Sequence, residues 1–246
     1  MDVYEKKSLL ELLRNNTYAG RGIVIGQSAD GKKAVMAYFI MGRSENSRNR
    51  IFKEQGEDLI IHPFDVAKVE DPSLIIYSPI KVYKGLNANI TIVTNGDQTD
   101  TIYKALSRGE TFEEALDTRC FEPDFPNYTP RISGIIYLSD KEPYTYKLNI
   151  LKSADKKGLA CIRSTFSYPS IPGTGHFIST YVKNGTPLPS FVGEPMRIDI
   201  PIDLNEFALN LWDSLNFDNK ISLYVRSVDL ETGKTENMMF NKHECK

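Results

Sequence analysis

Hydrophobic and polar residues alternate along much of the chain, with the period of two that is typical of a strand with one buried face. The pattern is clearest in MRIDIPID, where methionine and isoleucines occupy every second position from 196 to 202. Apolar runs bounded by turn residues predict further strands. The predicted strands cover residues 21–28, 33–42, 58–62, 73–77, 80–84, 89–94, 131–138, 144–151, 159–166, 176–182, 196–202 and 221–228.

Four other segments have the character of helices. Residues 5–14 alternate charges with leucines, and residues 99–108 end at a glycine, which is typical of helix C-termini. Thr111 and Glu114 have the capping-box spacing that begins a third helix. Asp203 is placed to cap a fourth, whose hydrophobic residues form one stripe as far as residue 215.

This order of elements predicts the α+β class, with helices packed outside the sheets. The chain shows no low-complexity linker and no internal repeat, so we expect a single domain over residues 1–246. Its expected parts are an N-terminal helix in residues 1–16, a core in residues 17–230, and a C-terminal hairpin strand and tail in residues 231–246, after a turn at 229–234.

Charge and composition narrow the choice of partners. The net charge is -2 and the pI about 6.0, which disfavours general binding to nucleic acids or anionic membranes, so any anion site must be local. No apolar run approaches the roughly 20 residues that span a bilayer. The three cysteines lack pair spacing and the first residues lack an apolar signal core. We therefore expect a cytoplasmic protein without a disulfide framework.

Three arginines gather in GRSENSRNR, which begins at residue 42. If residues 34–41 and 50–53 form antiparallel strands, residues 42–49 connect them, and Arg48 and Arg50 lean to one side. A guanidinium offers a planar fork of donors that suits a phosphate. The alternative is a solvated hairpin with surface arginines, and composition alone favours that alternative.

Two further stretches carry polar residues at rigid or capped positions. VTNGDQTDTIY, residues 93–103, joins a strand to a helix, where free amides are exposed. An N-cap and a turn explain most of its residues equally well. CFEPDFPNYTPRISG, residues 120–134, holds Glu122 among prolines and aromatic residues, a setting that raises the pKa of a carboxyl group and suits a general acid or base. The alternative there is a rigid strand entry, with Glu122 paired to an arginine.

Several familiar active sites have no counterpart in the chain. It contains no Walker loop, no G-x-G-x-x-G, no G-x-S-x-G and no H-E-x-x-H. The three histidines show no metal-ligand spacing, and His176 is weak evidence by itself. A P-loop NTPase, a nicotinamide dehydrogenase, a serine hydrolase and a zinc protease are thus all disfavoured.

Taken in order, YAGRGIVIG, GRSENSRNR, TNGDQTDTI and EPDFPNYTPRISG resemble the archaeal-type IMP cyclohydrolase family. The resemblance is strongest over residues 18–134, with GTGHFISTY as a later local match. It implies a four-layer αββα sandwich akin to N-terminal-nucleophile hydrolases. It does not imply their nucleophile, because position 2 is aspartate.

The resemblance also implies a reaction, the closure of formamidoimidazole-carboxamide ribotide to IMP with loss of water. It implies no metal and no cofactor, a purine ribotide as the substrate, and a homo-oligomer. By motif position, the family's catalytic residues fall on Arg48, Tyr77 and Glu122. The residues expected to bind the substrate are Arg21, Arg43, Ser44, Asn49, Arg50, Asn95, Gly96, Asp97, Thr99, Asp124, Arg131 and His176.

Two other functions fit the same residues. A paralogue acting as a nucleotide amidohydrolase would run this type of reaction in the hydrolytic direction. A non-catalytic module that binds purine nucleotides would keep the arginines but would not need Glu122 as a base. Conversion of the ribotide, as opposed to binding alone, distinguishes these alternatives.

Overall fold

A computed structural model describes residues 4–69, 77–86, 88–138 and 144–244. Within these ranges the helices are α1 (Leu9–Arg14), α2 (Glu45–Arg48), α3 (Gln98–Ser107), α4 (Phe112–Asp117) and α5 (Leu204–Ser214), with a short 3-10 helix at Val66–Lys68. The strands are β1 (Arg21–Gln27), β2 (Lys33–Met41), β3 (Ile51–Gln55), β4 (Asp58–His62), β5 (Ile80–Gly85), β6 (Ala88–Thr94), β7 (Arg131–Leu138), β8 (Thr145–Ser153), β9 (Cys161–Pro169), β10 (Thr174–Ser179), β11 (Met196–Asp199), β12 (Lys220–Asp229) and β13 (Thr235–Asn241). No helix in the described part of the chain is long and apolar enough to cross a membrane.

The strands form two antiparallel sheets, which confirms the α+β class. Sheet A has the order β11-β10-β1-β2-β12-β13. Sheet B has the order β3-β4-β5-β6-β7-β8-β9. The chain therefore leaves sheet A after β2, forms all seven strands of sheet B, and returns to sheet A at β10.

Three clusters of buried residues hold these elements together. Alternation along β1 explains two of them, because Ile23 and Ile25 point to one face of sheet A and Val24 to the other. The isoleucines pack against sheet B residues such as Ile132, and Val24 belongs to a cluster with α1 and α5. The third cluster lies between α3, α4 and the far face of sheet B.

The two sheets approach closely at Gly134, in the middle of β7. A Cβ atom at this position would lie 2.7 Å from Ile25 Cδ1 and 2.9 Å from Val93 Cγ1, both buried. Replacing Gly134 by alanine therefore overfills the space between the sheets. We expect the free energy of unfolding to fall by about 1–3 kcal/mol. Urea denaturation tests this, and an unchanged midpoint would contradict the close packing.

Most predicted elements occur within a few residues of their expected bounds, but one pairing is wrong. Strands β2 and β3 do not form a hairpin, because β2 belongs to sheet A and β3 to sheet B. The segment between them contains α2 and crosses from one sheet to the other. Residues 73–76 of the strand predicted at 73–77 lie outside the described residues.

Candidate active site

A cleft with a volume of about 590 Å³ opens at the ends of strands from both sheets. Arg21 begins β1 in sheet A, while Arg50 directly precedes β3 and Arg131 begins β7 in sheet B. The volume falls within the range of about 300–1,000 Å³ that is usual for small-molecule sites. The lining residues are Arg21, Ser44, Asn46, Ser47, Arg50, Tyr77, Asn95, Gly96, Asp97, Glu122, Pro123, Asp124 and Arg131.

Arg21 and Arg50 bring two positive charges together inside this cleft. Arg50 is only 8% exposed, and the buried Nε atoms of both guanidinium groups have no hydrogen-bond partner. Among the described residues neither forms an ion pair. Burial lowers the pKa of Arg50, and the charge of Arg21 lowers it further. Two neighbouring guanidinium groups with buried Nε atoms, and without an ion pair among the described residues, form a site for an anion or for developing negative charge.

Glu122 lines the same cleft, and the charges of both arginines act on the pKa of its carboxyl group. Burial raises the pKa of its carboxyl group, the charges of Arg21 and Arg131 oppose that rise, and Asp124 adds to it. The loop that carries it is rigid, since the Glu122 N–H donates to the Thr129 carbonyl oxygen at 2.9 Å. Both oxygens of Asp124 accept from Thr129, at 2.6 Å from the backbone N–H and 2.5 Å from the hydroxyl. Glu122 is thus a carboxyl group held in place with a pKa suited to proton transfer.

Tyr77 lines the cleft, and its hydroxyl group is paired with the hydroxyl group of Tyr38. Its hydroxyl lies 3.2 Å from the hydroxyl of Tyr38, which is fully buried in β2. Burial raises the pKa of Tyr38 well above its usual value, and the neighbouring Tyr77 contributes to the rise. Tyr38 therefore remains protonated, and the pair offers a hydroxyl donor to the cleft.

The turn between β6 and α3 forms another wall. Asp97 Oδ1 accepts from Arg119 Nη2 at 2.5 Å and from Arg131 Nη1 at 2.7 Å. Burial alone would raise the pKa of Asp97, but the hydrogen bonds and charges of these two arginines lower it. Arg131 Nη1 also donates to Gln98 Oε1 at 2.7 Å. Arg131 is therefore oriented, and part of its charge is already balanced.

Two residues of this turn build its backbone. Asn95 Oδ1 accepts from the Ile132 N–H at 2.9 Å, and its Nδ2 donates to the Pro130 carbonyl oxygen at 2.9 Å. Thr99 is buried, shares a 2.6 Å hydrogen bond with Thr94, and does not line the cleft. The expected contact of Thr99 with substrate is thus absent from this arrangement.

Gly96 lies against the same arginine. A Cβ atom there would stand 2.5 Å from Arg131 Nη1 and 2.6 Å from Gln98 Oε1. Since both atoms end flexible side chains, we expect the Gly96→Ala variant to fold and to displace the guanidinium. If Arg131 binds substrate, KM rises by about tenfold while kcat changes less. Steady-state kinetics with a melting curve checks this, and a variant with wild-type KM would remove Arg131 from substrate binding.

The turn at residues 44–47 supplies neutral polar groups. Ser44 caps α2, because its hydroxyl accepts from the Ser47 N–H while its own N–H donates to Ser47 Oγ. Asn46 Oδ1 is buried and has no hydrogen-bond partner. This wall therefore presents one unused acceptor and a capped turn toward the cleft.

Besides Thr99, four predicted site residues lie outside the cleft lining. Arg48 is exposed; its Nε donates to the Gly42 carbonyl oxygen at 3.1 Å and its Nη2 to Asn219 Oδ1 at 3.1 Å. Arg43 donates to Asn184 and to the Gly185 carbonyl oxygen. The Asn49 side chain exchanges two hydrogen bonds with the Asp65 backbone. The expected alignment of Arg48 with Arg50 fails because a helical turn, and not a strand, precedes Arg50.

His176, the fourth, is buried between the sheets. Its Nδ1 shares a 2.7 Å hydrogen bond with the Tyr146 hydroxyl, and its ring stacks on Tyr168 with centroids 3.6 Å apart. Burial lowers the pKa of His176 to about 4, and the charge of Arg197 contributes. A neutral, packed histidine of this kind supports the structure and does not face the cleft.

Sequence reasoning missed several residues of the cleft and its surroundings. Asn46 and Ser47 line it, while Tyr38, Gln98 and Arg119 hold lining residues in place. Tyr38 carried no signal, since a tyrosine inside an apolar strand is normally a core residue. Gln98 and Asn46 belong to the quoted motifs, and only their position in space shows what they contact. Among the described residues no group of three or more histidine, cysteine or acidic side chains is placed to hold a metal ion.

The geometry agrees with a comparison of the whole chain with known families. The model of the family described as "IMP cyclohydrolase-like protein" matches residues 18–233. The chain belongs to this family. The match covers every lining residue of the cleft and both sheets except β13.

Individual relatives in the family are archaeal proteins named IMP cyclohydrolase. The one from Methanopyrus kandleri is 30% identical over 151 residues, which cover 57% of this chain and 72% of that protein. Those from Methanocella arvoryzae and Methanothrix thermoacetophila are each 29% identical, over 123 and 125 residues. These two matches span 48% of this chain and 57% of each relative, so the chain spans just over half of their length.

Proposed function

We propose that this chain is an IMP cyclohydrolase, closing formamidoimidazole-carboxamide ribotide to IMP with loss of water in purine biosynthesis. Family membership and the names of the relatives support the reaction. One observation supports this cleft as the site of the reaction. Glu122 lines it together with Arg21 and Arg50, two cations that form no ion pair among the described residues.

The first requirement is to bring the reacting atoms together and stabilise charge. The carboxamide nitrogen attacks the formyl carbon, which it must approach to about 3 Å. A carbon–nitrogen bond forms, and the electrons of the formyl C=O bond move to oxygen. In this proposal Arg21, Arg50 and the Tyr77 hydroxyl surround that oxygen. Arg50 is buried, and stabilisation of this kind is strongest away from bulk water.

The second requirement is a route for protons. Glu122 takes a proton from the carboxamide nitrogen and delivers it to the formyl oxygen, which gives a hydroxyl group on the new ring. It then takes the proton of the formamide nitrogen and passes it to the leaving hydroxyl. Water departs as the carbon–nitrogen double bond forms. A raised pKa suits this role, because the group must both accept and return a proton.

The remaining lining residues bind the ribotide. We assign the phosphate to Arg131 with the Ser44 hydroxyl, because Asp97 and Gln98 hold that guanidinium in a fixed orientation. Gly96 and Asp97 then lie beside the ribose. Arg48, Arg43, Asn49 and His176 have no part in this assignment, because none of them lines the cleft.

The finer features of the fold and its setting belong to the same proposal. The three core clusters support a four-layer αββα sandwich like that of N-terminal-nucleophile hydrolases, without the nucleophile, as one domain over residues 1–246. We further propose a cytoplasmic homo-oligomer that binds no nucleic acid. Its free thiols Cys120 and Cys161 fit a reducing compartment.

Incubation with the ribotide tests the function directly. Purified protein is mixed with formamidoimidazole-carboxamide ribotide, ring closure is followed by absorbance, and IMP is identified by chromatography. We expect conversion with turnover. Binding of IMP without conversion would favour a non-catalytic module, and ring opening alone would favour an amidohydrolase. Either result would overturn the proposal.

A further inference from the structure

Two cysteines meet beside the loop that carries Glu122. Cys161 begins β9, the edge strand of sheet B, and packs partly buried against the cluster under α3 and α4. Cys120 is exposed in the loop that follows α4. The Cys161 thiol donates to the Ile162 carbonyl oxygen at 3.6 Å, and the pKa of Cys161 is raised by the Cys120 thiol, which is 41 positions away in the chain but close in space.

Independent contacts hold the two segments together. Side chains two apart on a strand share a face, so Arg163 and Cys161 both point toward α4. Arg163 Nη2 donates to the Arg119 carbonyl oxygen at 2.7 Å and to the Asp117 carbonyl oxygen at 3.4 Å. The residue next to Cys120 is therefore fixed to the strand that carries Cys161.

We propose that Cys120 and Cys161 form a redox modification site, which hydrogen peroxide converts to an intramolecular disulfide. The Cys120 thiolate attacks the O–O bond, so an S–O bond forms and water leaves after protonation. The Cys161 sulfur then attacks the Cys120 sulfur, the S–S bond forms, and a second water leaves with the Cys161 proton. Two thiols are oxidised and one molecule of hydrogen peroxide is reduced.

The order of the two steps follows from exposure. Cys120 is accessible to hydrogen peroxide, whereas Cys161 is partly buried. Burial raises the pKa of the Cys161 thiol, and the neighbouring Cys120 raises it further, so Cys161 stays protonated. An exposed cysteine beside a second thiol is the usual arrangement of a sensor with its resolving partner.

Formation of this disulfide would displace Glu122 in the cleft. The expected effect on turnover rests on the proposed function. The two sulfurs must approach to about 2.05 Å. Glu122 is two residues from Cys120 and is anchored at Thr129, so the strain falls on the backbone between them. A displacement of this kind at a catalytic carboxylate lowers kcat by about tenfold or more.

The test treats wild type, Cys120→Ser, Cys161→Ser and, as the matched control, Cys245→Ser with hydrogen peroxide. Intact mass and peptide mapping report the bridge. Wild type and Cys245→Ser are expected to lose about 2 Da, reversibly with dithiothreitol, through a 120–161 link. Cys161→Ser should instead retain a sulfenic acid on Cys120, trapped by dimedone.

Absence of the link in folded wild type, or an equal bridge in Cys120→Ser, would overturn the site. Normal turnover of the bridged protein would overturn only its effect on the cleft, and a protein inactive before oxidation would refute the proposed function instead.

Discussion

Replacing Glu122 by glutamine is expected to lower kcat by about 10²–10⁴-fold while leaving the fold intact. The amide has nearly the same shape as the carboxyl group but cannot accept the proton of the substrate nitrogen. The loop around it does not depend on this carboxylate, since its hydrogen bonds are made by Asp124, Thr129 and the backbone. Steady-state kinetics and a melting curve on the same preparation separate loss of chemistry from loss of structure.

The pH profile sharpens this expectation. Because burial raises the pKa of Glu122 and the base must be ionised, activity should increase with pH through a midpoint above that of an ordinary glutamate. This limb should be missing from the residual activity of Glu122→Gln. The matched control is Glu110→Gln, whose carboxylate pairs with Arg108 away from the cleft. Unchanged turnover in the Glu122 variant, or an equal loss in the control, would remove Glu122 from the mechanism.

Replacing Arg50 by methionine is expected to lower kcat by about 10²–10³-fold, because one of two charges facing the reacting oxygen is lost. The stability of the folded protein should not fall with the activity. Arg50 is buried, and both burial and the charge of Arg21 lower its pKa, so its charged form is disfavoured there. The variant should therefore melt at the same temperature as wild type or higher, as is common when a strained functional group is removed. Kinetics and thermal unfolding measure both effects.

Arg48→Met is the matched control two positions away. Its guanidinium bonds to the Gly42 carbonyl oxygen and to Asn219 at the surface, so we expect activity close to wild type. A loss in Arg48→Met that equals the loss in Arg50→Met would support the sequence-based choice of Arg48 and refute the structural one. A rise in KM alone in Arg50→Met would move Arg50 from the reacting oxygen to the phosphate.

The local pattern of hydrophobic and polar residues is sufficient to predict most of the helices and strands. The strand predicted at 131–138 has its observed bounds, because Pro130 precedes a mainly apolar run that ends before polar residues 139–142. Pairing was harder, because alternation shows that a strand has a buried face but not which sheet it joins. The hairpin expected between residues 34–41 and 50–53 failed for this reason.

The same error misplaced part of the candidate site. In an extended chain Arg48 and Arg50 would share a side, but α2 turns the backbone and sends Arg48 to the surface. The motifs still indicated the right segments, since Arg21, Tyr77, Gly96, Glu122 and Arg131 all line one cleft. Sequence could not show which arginine lacks a partner, because that depends on residues from distant strands.

The cleft is lined by residues from two sheets, so the packing between the sheets affects its geometry. Arg21 is carried by one sheet, whereas Arg50 and Arg131 are carried by the other. The separation between these charges is therefore set by the filling of the interior at positions such as Gly134, Ile25 and Ile132. Residues that never touch a ligand thus tune the spacing of the catalytic charges, and turnover should drift with core volume before the protein loses its fold.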